Sequence, residues 1–287
     1  MNERSGELPP VLFHVDCDGA REIFAYHGRA FASNVDPLFE SGLANALDFF
    51  DTHRVKATFF VIARGLESPE GRRLYAEVVR RGHEVASHTT THRLLPTLDR
   101  AEKEREIVGS KRLIEAALDR PCEGFRAPAF AVDPESFALI ERAGYRYDSS
   151  LFPDRASAVK AGQGFLGPHP SHLERTPKLL ELPLPRHRPL PWPFHPSYAL
   201  VLGGWYFRLG LALARGNGAP LTLLFHLTDF ANPLESTLVP DRKTRLFTLS
   251  HLSAVAKRRR LTAMIKALQD RYRPDITSAV GASSVKA

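Results

Sequence analysis

The chain has 287 residues, room for one or two domains and for a core that needs no disulfide staples. Hydrophobic residues make up 43% and charged residues 25%, which excludes a disordered or fibrous chain, and the two cysteines, Cys17 and Cys122, exclude a disulfide framework or a four-thiolate zinc site. The excess of 39 basic over 32 acidic residues, +7, suits an anionic partner but is too small to point to nucleic acid.

The N-terminal MNERSGELPP has no apolar stretch after its arginine, and no window approaches roughly 18 consecutive apolar residues. The expectation is a cytoplasmic protein without a secretory leader or transmembrane helix. VLFHV (11–15) reads as a short buried strand. Leu38, Leu43, Ala46, Leu47 and Phe50 fall on one face of a helix over 36–54. ATFFVI (57–62) is a strand, and Leu74, Val78 and Val79 mark a helix that Gly82 ends. HEVASH follows as a strand, then a helix over 99–118, strand-like GFRAP, a helix over 134–143, and RYDSS. ELPLPRHRPLPWPFHP (181–196) carries six prolines and reads as a rigid surface loop, with a proline-motif ligand as the alternative. LTLLFH (221–226) is a late apolar strand, and a basic amphipathic helix spans about 246–272. The ends, 1–9 and 278–287, look loose around a single domain over 10–277. This alternation argues for a parallel sheet or barrel.

Polar residues collect at the strand ends. In HVDCDG, Asp16 and Asp18 are two apart in an extended chain and point the same way, while Cys17 points into the core. Gly19 lets the chain turn there. Taken alone, the Asp pair also suits loop capping. His88 and His92, in SHTTTH, have a spacing that brings two imidazoles to one ion or belongs to an ordinary loop, and His83 reads as structural. Arg126, in FRAPAF, is a salt-bridge partner or the holder of a catalytic carboxylate. His226 closes LTLLFH, as a packed histidine or a catalyst.

In this order the motifs together resemble the polysaccharide deacetylase family, the NodB-homology domain of carbohydrate esterase family 4. The resemblance covers about 10–230. GYRYDSSLFP, GGWYFRL and RLFTLSHL are similar to the branch linked to exopolysaccharide systems. The resemblance implies a distorted (β/α) barrel of about seven parallel strands. It implies one divalent metal on Asp18, His88 and His92, with zinc first and cobalt, nickel or manganese served by the same ligand types. It places the general base on Asp16, its orienting arginine on Arg126 and the general acid on His226, with Asp148 near the acid. Cys17 separates aspartates that are adjacent in most members, so base and ligand are interchangeable at this point. Leu227 follows His226 where the family usually has Asp, which leaves the partner of His226 open, with Asp229 three residues away.

The implied activity is hydrolysis of an N-acyl group, N-acetyl first, from an aminosugar in a poly- or oligosaccharide. The second reading is a deformylase or deacetylase of a lipid-linked or small N-acyl sugar, with peripheral membrane contact. Lys257, Arg258, Arg259 and Arg260 would then meet an anionic carrier, or else form a solvated helix face. The third is a glycan-binding relative without catalysis. No nucleic-acid partner is expected.

Overall fold

The computed structural model describes residues 8–31, 33, 35–186, 193–214, 218–239 and 241–284. The first half runs β1 (Pro10–Asp16), α1 (Ala20–Tyr26), α2 (Pro37–His53), β2 (Thr58–Val61), α3 (Pro69–Arg80), β3 (Glu84–Ser87) and α4 (Arg100–Leu118). Then come β4 (Gly124–Phe125), α5 (Pro134–Arg142), β5 (Tyr147–Asp148), α6 (Arg155–Ala161), β6 (Ser171–Leu173) and β7 (Thr176–Glu181). The chain closes with α7 (Pro196–Leu202), α8 (Gly204–Ala214), β8 (Leu221–His226), α9 (Arg242–Phe247), α10 (Ala254–Leu268), β9 (Arg273–Asp275) and α11 (Thr277–Ser284).

The nine strands among the described residues belong to one curled sheet, in the order β6-β7-β5-β4-β3-β2-β1-β8, with β9 added beside β1. The seven strands from β7 to β8 along this path are parallel to their neighbours, as expected of the barrel, and only β6 runs antiparallel. The curl is open, since no pairing joins β8 to β6 or β7 among the described residues. The register levels the strand ends: Asp16 stands opposite Phe60 on one side and His226 on the other, and Ser87 opposite Phe125. Side chains that leave the C-terminal ends of β1, β3, β4 and β8 therefore meet at one rim, where alpha/beta barrels carry their chemistry.

The helices form for local reasons. Asp36 caps α2 by accepting from Phe39 N at 2.9 Å, Pro37 presets the first turn, and Leu38, Leu43, Ala46, Leu47 and Phe50 bury the inward face. Helix α3 ends as expected at Gly82, whose φ of +75 is a left-handed turn. Phe13, Phe50, Phe59 and Phe225 pack between sheet and helices.

The C-terminal region differs from the expectation. The helix read over 246–272 is two helices, α9 and α10, because Leu249 turns left-handed at φ 52 and Ser253 starts a new cap on Ala256 N. The basic cluster on α10 is not one solvated face. Lys257 is buried and donates to the carbonyls of Thr228 and Ala231, and burial brings its ammonium down to about 8. Arg258 donates to Thr52 Oγ1, and Arg260 to the Leu200 carbonyl. The end read as loose forms α11, whose Thr277 Oγ1 lies 2.9 Å from His14 Nε2 and 2.7 Å from Thr58 Oγ1. Residues 1–7 and 285–287 of those ends lie outside the described residues. No helix among the described residues is long and apolar enough to cross a membrane.

Candidate active site

The end of β1 and the turn after it deliver Asp16 and Asp18 to one pocket, lined also by His88, His92 and His226, with a volume of about 530 Å³. Cys17 between them is buried on the other side, as the alternation requires. Gly19 is needed for a reason the sequence does not carry. Its φ of −84 suits any residue, but a Cβ there would stand 2.3 Å from Asp36 Oδ2. Asp36 must come that close because it also accepts from Ala20 N and Arg21 N, tying the aspartate turn to α2.

His88 and His92 are brought together by a tight loop, not a helix. Thr89 and His92 both take left-handed backbone, φ 67 and 63, which costs energy for residues with a Cβ. Glu106, buried on α4, holds that loop. It accepts from Thr90 N at 3.0 Å and Thr91 N at 2.8 Å, and Thr91 Oγ1 donates to its other oxygen. The Arg126 carbonyl can only accept, so His88 Nδ1, 2.8 Å away, carries the proton and its Nε2 presents a lone pair to the pocket.

Asp18 Oδ1 lies 3.1 Å from His92 Nε2 and 3.4 Å from His88 Nε2. One ligand atom from each of the three residues falls within 4.8 Å of the others. Asp18 Oδ1 and His92 Nε2 are buried, yet neither makes a hydrogen bond. Buried polar atoms that converge without bonding fit a shared cation, and two imidazoles with one carboxylate suit a divalent ion that keeps open positions.

Asp16 is held differently. Arg126, fully buried, donates Nη1 to Asp16 Oδ1 at 2.7 Å. Three further donors go to the Ser149 carbonyl (2.7 Å), Ser149 Oγ (2.8 Å) and His14 Nδ1 (2.6 Å), and its plane lies 4.0 Å over Phe60. A guanidinium has no acceptor, so His14 Nδ1 is bare and Nε2–H donates to Thr277. The arginine is thereby fixed from four sides, and only Asp16 Oδ2 remains for the pocket.

His226 has a partner that the sequence did not single out. Ser197 Oγ, at the start of α7, donates to Asp229 Oδ2 at 2.8 Å and lies 3.2 Å from His226 Nδ1. Asp229 Oδ2 also accepts from His226 N at 3.0 Å. Having given its proton to Asp229, Ser197 accepts Nδ1–H from the imidazole. Asp148, which the resemblance put near the acid, does not fill this place. It is buried in the sheet, where it accepts from Ser150 N and Oγ at 2.9 Å each beside Glu181.

The proline-rich segment is only partly a surface loop, and residues 187–192 of it lie outside the described residues. Phe194, His195 and Pro196 are buried, and Arg186, Pro193 and His195 line the pocket. His195 lies parallel to Phe152, with its Nε2 unpartnered, and burial with His226 nearby keeps it well below the usual histidine range, hence neutral. Neither Ser197 nor His195 carried a spacing signal, since each reaches the site through tertiary folding. His83 is structural, as read: its Nδ1 accepts from Ala57 N at 3.1 Å.

Known proteins resemble this chain both in part of its sequence and in its fold. Residues 27–147 match the polysaccharide deacetylase family. His88, His92 and Arg126 lie inside that match, while Asp16, Asp18 and His226 lie outside it and join through the fold. A chitooligosaccharide deacetylase of Sinorhizobium fredii is 38% identical over 99 residues, 34% of this chain and 44% of that protein. A peptidoglycan-N-acetylglucosamine deacetylase of Bacillus cereus is 27% identical over 116 residues, 40% of this chain and 52% of that protein. The chain thus spans about half the length of these curated relatives. Among solved structures, a polysaccharide deacetylase from Mycobacterium smegmatis superimposes with a TM-score of 0.69 at 18% identity, over 99% of this chain and 92% of that one. The polysaccharide deacetylase fold therefore extends well beyond the matched segment.

Proposed function

We propose that this chain is a metal-dependent amide hydrolase that removes an N-acetyl group from an aminosugar unit of a poly- or oligosaccharide. The observation that carries the reading is one pocket in which ligand atoms of Asp18, His88 and His92 converge, those of Asp18 and His92 buried without a hydrogen bond, beside an arginine-held Asp16, with His226 on the neighbouring strand. The family match and the named activities of the relatives support it.

Asp18, His88 and His92 would hold the ion, with zinc the proposed metal, and it would supply a more acidic water and a polarised acyl oxygen. The chain's own residues do the rest. Asp16 Oδ2 takes the proton from the attacking water, while Arg126 holds Oδ1 and keeps the carboxylate charged and aimed. His226, oriented by Ser197 and Asp229, gives a proton to the departing amine. An amine leaves poorly unless protonated, so the acid is needed for an amide. His195 and Phe152 shape the wall beside His226.

The test is incubation with N-acetylated chitooligosaccharides and N-formyl analogues, with acetate and formate measured before and after chelation and re-addition of zinc. Metal-dependent acetate release is the expected result. Formate release alone would move the reading to a deformylase. Failure to release either, with any metal, would leave a glycan-binding relative.

A further inference from the structure

The rim of the pocket is unusually apolar and exposed. Tyr26 is 64% exposed, Tyr198 47%, Val201 44% and Leu246 50%, and all four line the same mouth. Trp205, 53% exposed, continues the patch: its ring meets Tyr206, which meets Tyr198, and Leu202 is exposed beside it. The patch is built by α1, α7, α8 and α9. All four lie outside the segment matched to the family.

Charge is arranged to match. Residues 196–214 and 242–247 carry Arg208, Arg242, Lys243 and Arg245 and not one Asp or Glu. All four cations are exposed. The carboxylate that starts α9, Asp241, is already neutralised by Arg29 at 2.5 Å, and Glu22 at the mouth by Arg64 at 3.0 Å. Tryptophan, tyrosine and aliphatic side chains interleaved with unopposed cations are the composition of a surface that lies in the headgroup layer of a bilayer. A sugar-binding rim would instead be expected to offer hydrogen-bonding side chains around its aromatic rings.

We propose that this face docks on an anionic lipid bilayer and seats the pocket mouth against the membrane surface. The docking stands on the patch alone. That the acylated aminosugar is presented at the bilayer, on a lipid or on a glycan held there, rests on the deacetylase reading.

The experiment is flotation of the full chain with vesicles of phosphatidylcholine alone and of phosphatidylcholine mixed with phosphatidylglycerol. The chain has two tryptophans, so a Trp192→Phe background leaves Trp205 as the single reporter. Binding to the anionic vesicles is expected, weakening as salt is added, with Trp205 emission shifted to the blue and quenched by brominated lipid. Leu202→Ser/Trp205→Ser should weaken binding at least about tenfold while hydrolysis of a water-soluble substrate persists. Arg242→Glu/Lys243→Glu, on an exposed helix, should do the same without touching the apolar patch. Failure to bind anionic vesicles at physiological salt would overturn the proposal, as would binding that leaves Trp205 emission unchanged. So would a dimer in light scattering that Trp205→Ser dissociates, since the patch would then be covered by a second copy. Vesicle binding by a chain that releases no acyl group would sink the deacetylase reading and leave the surface standing. Acyl release without vesicle binding would do the reverse.

Discussion

Arg126 Nη1 meets Asp16 Oδ1 at 2.7 Å, and this contact gives different surroundings to two aspartates that the sequence leaves equivalent. Asp16 has one oxygen committed to a guanidinium, and its other oxygen is 3.9 Å from His88 Nε2. Asp18 has an unbonded oxygen nearer both imidazoles. Asp18→Asn should therefore lose the metal, whereas Asp16→Asn should keep it and turn over at least about a hundredfold slower, the scale of a lost acid or base. Elemental analysis alongside kinetics checks this. Metal lost from Asp16→Asn but kept by Asp18→Asn would exchange the two roles.

His226→Ala should slow an N-acetyl amide far more than an activated aryl acetate, whose leaving group needs no proton. Ser197→Ala should show the same bias more weakly, because it removes only the link that orients the ring toward Asp229. Equal slowing of both substrates by His226→Ala would mark the residue as a packing or binding group.

Glu106 touches no ligand atom but fixes the loop in which Thr89 and His92 adopt left-handed backbone. Glu106→Gln turns an all-acceptor group into one that faces backbone N–H donors with an NH₂. Metal affinity should fall about 10–100-fold, the usual range for a residue that supports a ligand, and saturating metal should restore most of the rate. Chelator competition measures the first and steady-state kinetics the second. Unchanged affinity would confine Glu106 to folding.

His83 sets an acid limit on stability. Burial brings it down to about 4, and its Nδ1 must stay bare to accept from Ala57 N. An unfolded histidine titrates near 6.5. Between these values the unfolded chain holds a proton that the native one does not, so stability falls as pH drops from about 6.5 towards 4. The loss should be on the order of 2–3 kcal/mol. Urea unfolding across that window should show a flatter dependence for His83→Asn, which does not titrate. Parallel curves for the two proteins would show that His83 is protonated in the native state.

The sequence by itself determined the alternation of strands and helices and the positions of Asp16, Asp18, His88, His92, Arg126 and His226 at strand ends. Those signals are local: a continuous buried apolar run in β1, a capped apolar face in α2, a Gly82 that stops α3. Only the tertiary structure decided how the groups are shared. Which aspartate faces Arg126 depends on the register between β1 and β4 across the curled sheet, and no spacing encodes it. Ser197 and His195 enter the site because α7 packs beside β8, some thirty residues on. Thr277 steadies His14, and through it Arg126, from the far end of the chain. The basic cluster of α10 reads as surface in one dimension, yet Lys257 points inward because two carbonyls of the loop after β8 need a donor. Local patterns fix what each segment becomes, whereas hydrogen bonds between distant segments fix which polar atoms are satisfied and which are left free for chemistry.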